Sequence, residues 1–142
     1  MDNIKKCLIA LAAAVLLIAN RYDAPVMLSV PSCGIEVACE FVANGHHIQR
    51  VVDEADTAAW FPPYILDHAS ENFSGLWEIA VGDPAVFGDC RYRCAFVTTG
   101  RSDRGIYAPG GVPAADMYLC TCVPNGQPHE IVIVGLVKEK AA

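Results

Sequence analysis

The second half of the chain is broken into short runs rich in β-branched and aromatic residues, each closed by glycine, proline, asparagine or aspartate. Gly75–Val81 (GLWEIAV), Arg91–Thr99 (RYRCAFVTT), Asp116–Val123 (DMYLCTCV) and His129–Val137 (HEIVIVGLV) all have this form, which predicts strands. Gly100–Gly105 and Pro124-Asn125-Gly126 carry turn residues and read as hairpins. Residues 33–58 differ. There Val37, Ala38, Phe41, Val42, Ile48, Val51 and Val52 follow spacings of three and four, the period of one helix face. A hairpin about Asn44-Gly45 competes, but the adjacent apolar pairs Val37-Ala38 and Phe41-Val42 break two-residue alternation. The layout predicted is α+β, with one helix packed across a twisted antiparallel β-sheet.

Strand parity sorts the side chains further. Tyr92, Cys94 and Phe96 share one face of their strand, with Arg91, Arg93, Ala95 and Val97 on the other. Tyr118, Cys120 and Cys122 share a face, opposite Met117, Leu119, Thr121 and Val123. If these two strands pair, the Tyr/Cys/Phe faces coincide and pack on the helix.

The composition excludes some classes. With 142 residues the chain supports a single domain. Its net charge of −6 rules out nucleic-acid binding by phosphate neutralisation alone. A chain 54% apolar and 18% charged is not disordered.

Residues 1–20 stand apart. Lys5 and Lys6 precede the apolar stretch Cys7–Ala19 and a polar exit at Asn20-Arg21, the pattern of a secretory signal. The stretch is too short for a bilayer span; the competing reading is an apolar helix of the domain. A signal at 1–20 leaves one domain at 21–142, a secreted protein with no membrane attachment in its mature form. It also leaves an even set of cysteines, Cys33, Cys39, Cys90, Cys94, Cys120 and Cys122, which suits disulfides in an oxidising compartment without choosing among pairings. Cys33 could bridge locally to Cys39 or reach the sheet. Cys90, Cys94, Cys120 and Cys122 also admit a zinc site, but mid-strand placement and oxidation argue for small core residues instead. No metal or other cofactor is implied.

Three other features carry candidate chemistry. Arg91, Arg93, Arg101 and Arg104 crowd into a short stretch and form either a solvated hairpin or a basic patch for phosphate or an acidic protein. His68 and Glu71 lie in the long segment 61–74 and offer an acid–base pair. His46-His47 and His129 read as solvated positions.

In order along residues 31–137, the chain resembles the small secreted guanyl-specific ribonucleases of fungi. The residues that carry the resemblance are Pro31-Ser32-Cys33-Gly34, Phe61-Pro62-Pro63, Tyr92-Arg93-Cys94-Ala95-Phe96 and, most specifically, Tyr107-Ala108-Pro109-Gly110-Gly111-Val112-Pro113-Ala114-Ala115-Asp116. It implies that the family's catalytic positions fall on Pro63, Arg93, Met117 and near Gly135, none of which can perform the acid–base and phosphate-binding work. The chain would then be a catalytically inactive relative, similar to the ribonuclease-like effectors that powdery mildew fungi secrete and deliver into plant cells. That resemblance implies virulence through binding a host protein or RNA, and recognition by a plant immune receptor. Two features of the effectors are missing: a tyrosine ahead of Cys33 and a cysteine near the C-terminus. An active ribonuclease with His68 and Glu71 as a relocated pair, and a generic secreted disulfide-containing binding domain, are the alternatives.

Overall fold

The computed structural model describes residues 5–6, 24–103 and 105–140. Apart from Lys5 and Lys6, the predicted signal segment lies outside the described residues, as does Arg104. Eight strands form a closed barrel: β1 (Val26–Val30), β2 (Ile35–Phe41), β3 (Thr57–Phe61), β4 (Tyr64–Leu66), β5 (Pro84–Phe87), β6 (Cys90–Arg101), β7 (Met117–Cys122) and β8 (Glu130–Lys138). Their order around the wall is β1-β2-β3-β4-β7-β8-β6-β5, and β5 closes onto β1. The pairs β2–β3 and β4–β7 are parallel; the others are antiparallel. Closure leaves no sheet edge of the barrel wall unpaired.

This is a β-barrel and not the expected α+β sandwich of helix and sheet. The helix read over 33–58 is for the most part strand and turn. In β2, Ile35, Val37 and Cys39 point into the barrel while Glu36 and Glu40 point away, a clean two-residue alternation. Ala38 obscured it, because a small residue on the outer face was counted as apolar. Phe41-Val42 is adjacent only because the strand ends there and Val42 turns into a second cluster. The remaining helical positions do lie on a helix, the short α1 (Ile48–Val52). A 3-10 turn at Gly45–His47 leads into it, with Asn44 Oδ1 accepting from the His46 N–H at 3.0 Å.

Gly75–Val81 is likewise not a strand. Leu76–Glu78 forms a 3-10 turn that sends Leu76, fully buried, into the barrel beside Phe73. Gly75 packs so closely on the Cys33 carbonyl that no side chain fits there. The other three predicted strands are β6, β7 and β8. They are not arranged as expected, however: β8 lies between β6 and β7, so those two never pair directly.

The interior is filled by alternate residues of the wall, among them Leu28, Val30, Ile65, Leu119, Val132 and Val134. Met117 belongs to this core, at 6% exposure, and not to an open binding face. Parity on β6 fails at one point. The β6–β8 register shifts between Cys94 and Phe96, so Tyr92 and Cys94 face inward while Phe96 packs outside against Tyr118. A β-bulge moves all later side chains to the opposite face. Two outer clusters cover part of the wall. Val51 and Val52 of α1 pack with Val42 and Ala59; Ala108 packs on Cys120, Ile131 and Ile133.

Candidate active site

The parallel pairing of β4 with β7 matches Tyr64 with Tyr118, Ile65 with Leu119 and Leu66 with Cys120. The pairing outlasts β4. The Asp67 N–H donates to the Cys120 carbonyl at 3.4 Å, and Thr121 Oγ1 donates to the Asp67 carbonyl at 2.8 Å. One further step along the same register brings His68 beside Cys122. Alternation puts both on the outer face of the wall, with Leu66 and Cys120.

His68 and Cys122 are shared by two adjoining clefts. The smaller, of about 180 Å³, has Val52, Leu66, Cys120 and Ile131 among its lining residues, with Gln49 and Ser102 as polar groups. The larger, about 390 Å³, runs along Ala69, Ser70 and the Val123–Asn125 turn. Among the described residues, neither is lined by Lys or Arg.

Cys122 is the exposed cysteine among the described residues. All six described cysteines are free thiols. Four of the others are muted by burial, which pushes the Cys39 and Cys120 thiols up to about 12 and also raises Cys33 and Cys94. A thiol attacks as thiolate and must be reached by its substrate, and of the six described cysteines Cys122 is the exposed one.

The histidine is held by its surroundings at both ends. Its backbone N–H donates to Asp67 Oδ1 at 2.8 Å, and Asp67 Oδ2 accepts from Asn72 Nδ2 at 2.7 Å. Asn72 also donates to the Ala55 carbonyl, pinning the 67–72 turn to the segment after α1. Burial pushes the Asp67 carboxyl above the ordinary carboxylate range. On the ring side, His68 Nε2 lies 3.0 Å from Asp53 Oδ1.

Of the residues singled out from sequence, His68 lies at this site. Glu71 follows it on the turn, its N–H donating to the His68 carbonyl. The described arginines of the expected basic patch lie at the two ends of β6 and do not form one patch. Arg93 sits at the start of β6, bonded to the Gly82 carbonyl and paired with Glu139, and Arg91 is exposed beside it. Arg101 lies at the far end of β6, about 25 Å along the strand from Arg93, paired with Asp103. His46 and His47 are exposed on their turn, and His129 enters β8 with its carbonyl accepting from Ser102. Cys94 faces the barrel interior and Cys120 the outside. Among the described residues, no three His, Cys, Asp or Glu converge to hold a metal. Cys122 is exposed, not the core or disulfide cysteine expected; its position as the last strand residue before Pro124-Asn125-Gly126 is the signal of a loop-edge thiol. Asp53 carried no sequence signal.

No family model matches the sequence, and no curated protein matches it. Solved structures do match the barrel. Sortase A from Listeria monocytogenes superposes with TM-score 0.60 at 14% identity, over 83% of this chain and 88% of that one. Sortase C from Streptococcus pneumoniae gives TM-score 0.60 at 15% identity, over 84% and 70%. The pilus-related sortase C of Group B Streptococcus gives 0.60 at 17%, over 83% and 68%. The chain has the sortase fold.

The sortase fold overturns the resemblance to fungal ribonucleases. The supposed lost catalytic positions have structural roles in it: Pro63 turns β3 into β4 with its carbonyl accepting from Tyr118, and Arg93 pairs with Glu139. Met117 fills the barrel, and Gly135 lies beneath the Phe96 ring. The fold removes the ribonuclease scaffold, and with it the ribonuclease-like pseudoenzyme and the fungal effector role built on it. A relocated ribonuclease pair falls with the same observation.

Proposed function

We propose that the chain is a sortase-like cysteine acyltransferase acting on peptide bonds, with Cys122 as nucleophile and His68 as its acid–base partner. The observation that carries this is the placement of an exposed thiol and an imidazole on adjacent strand ends, opening on shared clefts. The proton of Cys122 passes to His68, and the thiolate attacks a peptide carbonyl carbon. The C–N bond breaks, the imidazolium gives its proton to the departing amine, and a thioester remains on Cys122. A second amine attacks the thioester, His68 takes its proton, and a new amide forms as the thiolate leaves. The smaller cleft, with its apolar lining, suits an aliphatic side chain of the acyl donor.

Incubation with a mixed peptide library and hydroxylamine tests the reading. Peptide hydroxamates should form, and Cys122→Ala and His68→Ala should abolish them. Hydroxamates that persist in Cys122→Ala, or that never form, overturn it.

A further inference from the structure

Asp53 reaches the site from outside the β4–β7 pair. It follows α1, whose Val51 and Val52 anchor the helix on Val42 and Ala59. Its backbone N–H donates to the Gln49 carbonyl at 3.1 Å, and Gln49 Nε2 donates back to Asp53 Oδ1 at 2.8 Å. This loop of bonds fixes the carboxylate, and the same Oδ1 lies 3.0 Å from His68 Nε2.

The consequence is a choice of tautomer. An ionised carboxylate only accepts hydrogen bonds, so the ring nitrogen facing it must carry the proton. The bonds from His68 and Gln49 hold the Asp53 carboxyl below its ordinary value, so it is ionised at neutral pH. Nε2 is then the N–H of neutral His68, and Nδ1 holds the lone pair. With the backbone N–H of His68 tied to Asp67, both the backbone and the ring have a defined anchor.

We propose that Asp53 is a positioning residue: by accepting from Nε2–H it fixes His68 in the tautomer whose basic nitrogen, Nδ1, serves Cys122. The role rests on the cysteine acyltransferase reading above. Asp53 also faces the imidazolium that forms when His68 takes the thiol proton. Both side chains are partly solvated, 58% and 34% exposed, so water screens this attraction and its effect on rate is modest.

The test uses the full chain with Asp53→Asn and Asp53→Glu, read by the nitrogen-15 resonances of the His68 ring and by hydroxamate formation. The His68 signals are assigned from their loss in His68→Gln. In the wild type the ring should show the Nε2–H tautomer; in Asp53→Asn it should become a mixture, since an amide offers both donor and acceptor. The kcat of Asp53→Asn should fall about fivefold to tenfold with KM unchanged, and Asp53→Glu should restore most of both signals. If Cys122→Ala abolishes turnover while Asp53→Asn changes neither tautomer nor kcat, the Asp53 role is wrong and the nucleophile assignment stands. If turnover survives Cys122→Ala, the underlying reading fails, whatever Asp53 does.

Discussion

The Thr121 hydroxyl donates to the Asp67 carbonyl across 2.8 Å, and both residues are almost fully buried. This bond continues the β4–β7 pairing past the last residue of β4, and the step after it places His68 against Cys122. Thr121→Val keeps the shape of the side chain and removes the donor. A buried acceptor left without its partner costs about 1–3 kcal/mol. Chemical denaturation should show that loss, and hydroxamate formation should drop by more than the stability change explains, because the histidine-bearing turn loses its tie to β7.

Gly135 is required by the bulge on β6. With Phe96 turned to the outer face, its ring lies directly over Gly135 on β8, and an added methyl group would overlap it. Gly135→Ala should therefore destabilise by about 1–3 kcal/mol, the usual cost of overpacking. Phe96→Leu in the same chain should recover part of that. A double-mutant cycle by denaturant titration measures the coupling, and strictly additive effects would contradict the contact.

These residues also show why sequence took the argument only part of the way. β6, β7 and β8 announce themselves through aromatic and β-branched runs, and Cys120 and Cys122 were assigned correctly to one face because β7 is regular. β6 was read with the same parity, and the bulge, which leaves no mark in composition, reversed it for Phe96. β2 alternates Ile35, Glu36, Val37, Ala38 and Cys39, yet one outward alanine was enough to suggest a helical period. Parallel pairing was the larger loss. β2–β3 joins consecutive strands across a helical connection, but β4–β7 joins strands distant in sequence, and that second pairing brings together His68 and Cys122. Asp53, on the far side of α1, becomes relevant only once the helix is docked on the barrel.

Asp67 and Asp53 predict pH dependences of opposite sign. Burial raises the Asp67 carboxyl, so between its unfolded and folded values the native state holds more protons than the unfolded one. Stability from this group is then greatest in acid and falls as pH rises through the raised value. Asp53 is depressed by its bonds to His68 and Gln49; its contribution is present above the ordinary carboxylate value and is lost as pH falls through the depressed one. Unfolding free energies of wild type, Asp67→Asn and Asp53→Asn, measured from neutral to acid, should separate the two. The gap between wild type and Asp53→Asn should narrow on acidification, and that between wild type and Asp67→Asn should move in favour of the wild type. Parallel curves for all three proteins would contradict both assignments.

Thiol accessibility gives the most direct check of the site. Cys122 is exposed at the end of β7, while Cys39 is in the barrel core and Cys120 lies beneath Ala108 and Ile131. Burial holds both of the latter thiols up to about 12, so neither supplies thiolate in the folded state. A charged methanethiosulfonate should therefore label Cys122 first in the native protein, with Cys39 and Cys120 protected until denaturant is added. Peptide mapping by mass spectrometry locates each adduct, and Cys122→Ala should remove the fast phase without exposing the other two. A fast phase on Cys120 would mean that the outer cluster opens readily and that two thiols, not one, share the clefts with His68.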